Sequence, residues 1–418
     1  MKYVDEFRDP EKARAVVEAI EAQVKKIEQQ RKPAGGGKMR PLQLMEFCGG
    51  HTHTLFKYGI ESLLPDGIEM VHGPGCPVCV LPMGRVDDCI AIARRPEVIF
   101  TTFGDAMRVP GSQGSLLDAK ASGCDIRMVY SPLDALTLAK SNPDREVVFF
   151  ALGFETTMPS TAMTVQQAAR EGVTNFSLFC NHITTAPTIE AVLNEPGLDL
   201  DGFLAPGHVS MVIGMEPFQF IARDYSKPIV ITGFEPLDVL HSLLMVVTQI
   251  AEGRCEVENQ YRRVVSSTGN DPGLAAMAEV YETFPVTELR GFGEIGDAGV
   301  RMRDGYAPWD AERKFALVRH ITDDPVACQC GEVIKGLIKP WQCSLYGKAC
   351  NPQTPLGALM VSSEGACAAY HNNGFRVPEK GKGRIAVVDV QANGETQTER
   401  ETHPADAPEG GKRAEGQS

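Results

Sequence analysis

The sharpest chemical signal in the chain is Gly73-Pro74-Gly75-Cys76-Pro77-Val78-Cys79. Thiols at C-x-x-C spacing can face one metal or each other, and the two glycines let other backbone approach closely. A helix is expected from about Met83. A thiol near a helix N-terminus has its pKa lowered, favouring the thiolate that is both ligand and nucleophile. Earlier, Glu46-Phe47-Cys48-Gly49-Gly50-His51-Thr52-His53-Thr54 crowds a thiol and two imidazoles into one turn. Alone, Cys48 reads as a buried cysteine ahead of a helix capped by Thr52 or Thr54. The second thiol motif, at the end of the next strand, tips the reading towards chemistry. Three chemistries fit the spacing: a thioredoxin-like redox pair, a structural zinc site completed from Cys48, His51 and His53, and a substrate-metal site of soft thiolates.

Gly153-Phe154-Glu155-Thr156-Thr157-Met158-Pro159 follows a strand and opens a helix. Capping hydroxyls and a first-turn proline account for the threonines and Pro159. Glu155 is left over, a carboxylate able to orient a histidine or carry a proton. Asp105, in Phe103-Gly104-Asp105-Ala106-Met107, reads first as a cap. Towards the C-terminus, Cys328-Gln329-Cys330-Gly331 is followed by Cys343, Cys350 and Cys367. Five thiols so close together exceed any packing need. Zinc ribbons use paired C-x-x-C knuckles, which this segment lacks. Its irregular C-x-C arrangement suits a [4Fe–4S] cluster at least as well, with four thiolate ligands and one spare thiol for thiol–disulfide electron transfer. Cys89, Cys124, Cys180 and Cys255 are scattered and read as small buried hydrophobes. Gly291-Phe292-Gly293-Glu294-Ile295-Gly296 matches G-x-G-x-x-G, but no clear strand precedes it, so it reads as a loop and not a nucleotide site.

A chain of 418 residues is long enough for two or three domains to position these groups. A net charge of −13 argues against nucleic-acid binding, which normally shows a basic stripe. No apolar run approaches the ~18 residues of a membrane span. Met1 to Pro10 carries Asp5, Glu6, Arg8 and Asp9 and so has no signal-peptide core. A cytoplasmic protein without membrane association is expected. In a reducing cytosol twelve cysteines favour metal ligation or thiol redox chemistry over a disulfide framework.

Pro10 to Gln30 has apolar residues at helical spacing, and Arg31 to Met39 is a glycine-rich connection. Apolar runs then alternate with helical stretches: Leu42–Cys48, Glu69–His72, Val98–Phe103, Ile126–Tyr130, Val147–Leu152, Phe176–Cys180, Gly202–Leu204 and Ile229–Thr232. That rhythm predicts an α/β fold of two parallel-sheet domains, and the cysteine-rich segment that follows is expected to form a third, iron–sulfur or zinc-binding domain. The expected divisions are 1–39 (helix and linker), 40–144 and 145–272 (α/β units), 273–377 (cluster domain) and 378–418 (disordered tail, with one short strand possible at Ile385–Val390). Asn142 to Arg145 marks the central boundary. Phe47-Cys48-Gly49-Gly50-His51-Thr52 faintly echoes Phe179-Cys180-Asn181-His182-Ile183-Thr184, a weak hint of duplication. Open parallel sheets bind ligands beyond the carboxyl ends of their strands, where Cys48, His51, Cys76, Cys79, Asp105, Glu155 and His182 are expected.

Taken together, the stretches EFCGGHTHTLFKYGIESLLP, VHGPGCPVCVLPMGR, ALGFETTMPSTA, FCNHITTAP, APGHVSMVIG, GFGEIGDAG and VSSEGACAAY resemble the HypD family, in order over most of Met1 to Gly374. The resemblance implies a scaffold for assembling the Fe(CN)2CO group of nickel–iron hydrogenases. It also implies a stable complex with the small chaperone HypC, a transient encounter with the cyanide donor HypE, and a C-terminal cluster. The family's iron-associated cysteines map onto Cys48, Cys76 and Cys79. Of the C-terminal thiols, Cys330, Cys343, Cys350 and Cys367 are favoured as cluster ligands and Cys328 as the free thiol; His51 and Glu155 are expected to handle protons. Family members often carry a cysteine where this chain has Leu359, so that position is no ligand here. The competing classes are an iron–sulfur-dependent thiol/disulfide reductase and a zinc-stabilised interaction protein.

Overall fold

The computed structural model describes residues 5–31 and 39–373. Each of the eight apolar runs from Leu42 to Thr232 is a strand: β1 (Leu42–Glu46), β2 (Ile68–His72), β3 (Val98–Thr102), β4 (Ile126–Met128), β5 (Glu146–Gly153), β6 (Phe176–His182), β7 (Gly202–Pro206) and β8 (Ile229–Thr232). A short β9 (Val257–Asn259) extends the series, and β10 (Tyr281–Leu289) and β11 (Gly293–Met302) form an antiparallel hairpin. The strands lie in two parallel sheets, in the order β2-β1-β7-β8-β9 and β4-β3-β5-β6. Strands β3, β7 and β8 are buried along their whole length, as parallel strands covered on both faces must be.

Counted by chain order within each sheet, both sheets read 2-1-3-4, and the first adds a fifth strand. The molecule therefore repeats one doubly wound topology, with the second unit inserted between β2 and β7 of the first. The expected boundary at 144/145 is corrected by this arrangement, because β3 and β4 precede it while β5 and β6, in the same sheet, follow it. The turn at Asn142–Arg145 is an internal connection. Asn175 Nδ2 donates to the carbonyls of Ala139, Asn142 and Arg145, and Arg145 Nη2 donates to the Val98 carbonyl. Neither do the two cysteine-containing echoes correspond. Cys48 follows the first strand of its sheet, whereas Cys180 lies within the last strand of the other.

The N-terminal helix, Pro10–Gln30, starts at Asp9, whose carboxylate accepts from the amides of Glu11 and Lys12. It buries Val16, Ile20, Val24 and Ile27, one helical stripe, in a core shared with the helix Pro236–Glu252 and the first sheet. It is thus a cover of that sheet and not a separate unit. The expected division at 272/273 falls within the helix Asp271–Val280, which Asn270 caps and which packs, with the start of the hairpin, into the core of the second unit. The G-x-G-x-x-G segment is the hairpin turn: Gly291 and Gly293 take φ of +84° and +72°. A strand does precede it, contrary to expectation, but a second strand follows where a nucleotide site would have a helix. Residues 35–37 and the tail beyond 377, including Ile385–Val390, lie outside the described residues. Among the described residues no helix is long and apolar enough to cross a membrane.

Candidate metal centre

In a doubly wound sheet the strand order reverses at one point, and the loops there splay apart to leave a crevice. In the first sheet the reversal lies between β1 and β7, and in the second between β3 and β5. The two crevices open onto one shared cavity of about 500 Å³. Cys48 enters it after β1, Cys76 after β2, His208 after β7, Asp105 after β3, and Thr156 and Thr157 after β5. Ser362 and Glu364 reach in from the C-terminal segment.

The two thiol motifs are docked on each other by their glycines. The Gly49 amide donates to the Gly75 carbonyl (3.2 Å), and a Cβ on Gly75 would overlap the backbone of Cys48. A Cβ on Gly49 would likewise collide with the side chain of Glu364. Behind Cys48 stands a fully buried carboxylate. Glu46 accepts from the Cys48 amide (2.7 Å), from His72 Nδ1 (2.8 Å) and from the Thr52 hydroxyl. His72 Nε2 turns to Glu61 (2.9 Å). Burial opposes charge on His72, but its bonds to Glu46 and Glu61 prevail and raise it to about 9, so it donates to both carboxylates. Burial pushes the Cys48 thiol up, and the nearby carboxylates of Glu364 and Glu46 add to it.

Cys79 lies just beneath Cys76. Burial raises its pKa well above the ordinary thiol value, followed by its hydrogen bond with Cys76 and the proximity of Cys330. The lowering expected from a helix N-terminus is not found at Cys48 or Cys79. The helix after Cys76, Pro77–Val80, is a single turn with little dipole, and desolvation of an anion outweighs it.

All five C-terminal thiols line one small, otherwise mostly apolar cavity. Cys328 is drawn down to about 7, chiefly by its hydrogen bond with Cys330, with burial opposing. Cys330 is raised by the same bond and by burial, and Cys367 by burial and the neighbouring thiols. Leu359 packs at this cavity. Among the described residues no group of three or more His, Cys, Asp or Glu is arranged to hold a metal ion. The ligands of a four-iron cluster each bind a different iron and stand farther apart than ligands sharing one ion. A buried hydroxyl without a partner, Tyr346 OH, faces this group. Soft donors beside an unmatched hydrogen-bond donor suit an anionic iron–sulfur group.

Three anticipated residues take other places. His51 is fully buried and donates from Nε2 to the Thr232 carbonyl (3.0 Å); burial keeps it neutral, and its Nδ1 has no partner. Both oxygens of Glu155 are held by Thr185, through its amide (2.8 Å) and hydroxyl (2.6 Å), tying the turn after β5 to the start of the helix Thr185–Leu193, which follows β6. Glu155 does not line the cavity. His182 bonds Thr161, is lowered to about 4 by burial, and also stands apart from it. Glu364 was missed as a site residue. Its stretch, VSSEGACAAY, carries no local mark of the site, and only the fold brings a carboxylate from so late in the chain to the turn after β1.

The model of the family described as "Hydrogenase formation hypA family" (HypD) matches residues 17–374. The chain is 58% identical to the hydrogenase maturation factor HypD of Rhodobacter capsulatus, over 90% of this chain and 98% of that one. It is 54% identical to the protein of that name from Escherichia coli K12 (89% and 98%) and 51% to that from Rhizobium leguminosarum (88% and 95%).

Proposed function

Because the chain belongs to the HypD family of hydrogenase maturation factors, we propose that it is the scaffold on which, with HypC, iron is held while the Fe(CN)2CO group is assembled. The observation that supports this most is the shared cavity, where two strand-order reversals face each other and present Cys48 and Cys76 to about 500 Å³ of space. A low-spin iron with strong-field diatomic ligands suits thiolate anchors, and the cavity leaves room for those ligands and for a partner's ligand. Cys48 anchors the iron together with a cysteine of HypC, and HypE docks transiently to deliver cyanide.

Buried as it is, Cys48 becomes a thiolate only as a cation arrives to offset the negative charge. The neighbouring Glu364, itself raised by burial and by Asp105 and Glu46, takes up the proton in place of Glu155. Protonated His72 keeps Glu46 oriented towards the Cys48 amide. Cys76 and Cys79, hydrogen-bonded to each other, form a dithiol, and Cys330 of the other group lies close enough to act on Cys79. Cys330, Cys343, Cys350 and Cys367 hold a [4Fe–4S] cluster, with Cys328 free. Bound there, the cluster supplies one-electron redox chemistry beside the dithiol.

The test is Cys48→Ala in the full chain, purified with HypC. Loss of the cyanide and carbonyl infrared bands with the iron–sulfur absorption near ~400 nm unchanged is expected. Retention of those bands removes Cys48 as a ligand. A thiol/disulfide reductase would instead show the iron–sulfur absorption with no such bands in the wild-type chain.

A further inference from the structure

Arg290 lies at the tip of the β10–β11 hairpin, between the strand end Leu289 and Gly291. Its side chain is only 1% exposed. The Arg290 amide donates to the Val80 carbonyl (2.8 Å) and Nε to the Leu81 carbonyl (2.7 Å), the two residues directly after Cys79. On the other side the turn packs onto the C-x-C segment, where Gly291 lies against Gly331 so closely that a Cβ on Gly291 would crowd the Gly331 backbone. The turn that carries Arg290 therefore joins the C-x-x-C segment to the C-x-C segment. Its charge acts on both Cys328 and Cys330.

Nη1 and Nη2 make no hydrogen bond. The Asp324 carboxylate is 2.8 Å from Nη1 but out of line for one, and its side chain is a quarter exposed. A buried guanidinium is costly unless negative charge faces it, and the partly exposed Asp324 leaves its Nη donors without hydrogen bonds. Besides Asp324, Cys328 and Cys330 are groups on which the guanidinium charge acts.

We propose that Arg290 is a positioning residue with two tasks: it clamps the Cys76–Cys79 segment against the C-terminal thiols, and it supplies the fixed positive charge that raises the potential of the group they hold. The first task stands on the geometry alone. The second rests on the cluster reading above. The G-x-G segment supplies the clamp, since its two glycines allow the tight turn that brings Arg290 in.

The experiment uses the full chain with Arg290→Met, Arg290→Lys and Asp324→Asn. Without cluster, hydrogen exchange of the peptide spanning Cys76 to Pro82 is expected to quicken about tenfold in R290M. Unchanged protection overturns the clamp. With cluster, a redox titration followed by absorption is expected to give a lower midpoint for R290M, a near wild-type one for R290K, and a higher one for D324N, where an opposing negative charge is gone. Equal shifts in R290M and R290K, or none in D324N, overturn the charge role. Should R290M fail to fold, R290K and D324N decide it. A wild-type chain without iron–sulfur absorption removes the cluster reading and the charge role with it, while the exchange measurement still decides the clamp.

Discussion

Cys48 and Cys76 look into a cavity of about 500 Å³ edged by hydroxyls, carboxylates and an imidazole, whereas the five C-terminal thiols close around about 20 Å³ of mostly apolar lining. The same element, sulfur, is thus offered in two settings. The larger space admits a guest of several atoms and a partner's side chain, and its polar edge can exchange protons. The smaller one admits only what the sulfurs themselves bond. Metal–sulfur bonds of about 2.3 Å bring a metal inside sulfur's van der Waals shell, so a ligated group needs little free space. Enclosure of this kind suits a group that stays, and the open crevice suits one that leaves.

The contrast breaks most decisively at Cys343. In Cys343→Ser, complete loss of the iron–sulfur absorption is expected; an unchanged spectrum would show that this thiol holds nothing. The opposite side of the comparison is sharpened by Gly75→Val, which forces side-chain atoms into the Cys48 backbone. Loss of the infrared bands with the iron–sulfur absorption retained is expected, with a stability cost of about 1–3 kcal/mol in urea unfolding. Equal damage to both groups would mean that they are one site.

A smaller effect separates them by pH. His72 is raised from its ordinary 6.5 to about 9 in the folded chain, so it contributes stability that is full below pH 6.5 and lost as pH rises through 9. That contribution is roughly 3 kcal/mol. Urea unfolding of His72→Gln should therefore lack much of the wild-type decline between those pH values, and a parallel decline would show that His72 does not carry it. The smallest change is expected from Leu359→Cys, which puts a sixth thiol at the closed cavity. Iron content per chain should stay the same, with a loss of about 1 kcal/mol for the methyl groups removed from the core. Additional iron would show that the five native thiols leave a ligand position open.

Much of the fold was legible because parallel strands buried on both faces are runs of apolar residues, and each run from Leu42 to Thr232 became a strand. The hairpin β10–β11 was not legible. Its outer face alternates Glu, Thr, Arg and Gly with few buried positions, so it carries no apolar run. Domain boundaries failed for a related reason. A turn such as Asn142–Arg145 reads the same whether it joins two sheets or lies within one, and strand pairing decides which.

By itself, the sequence determined which residues have chemistry to offer. Thiols at C-x-x-C and C-x-C spacing, the glycines beside them and the family to which they belong are local facts, fixed by residue type and order. Tertiary structure decided which of these groups share a space. It placed Glu364 beside Cys48, gave Glu155 to Thr185, brought Cys330 near Cys79 and joined the two thiol segments through the turn that carries Arg290. Those contacts join residues up to hundreds of positions apart, and only the packing of whole sheets and their covering segments, driven by apolar burial, brings them together.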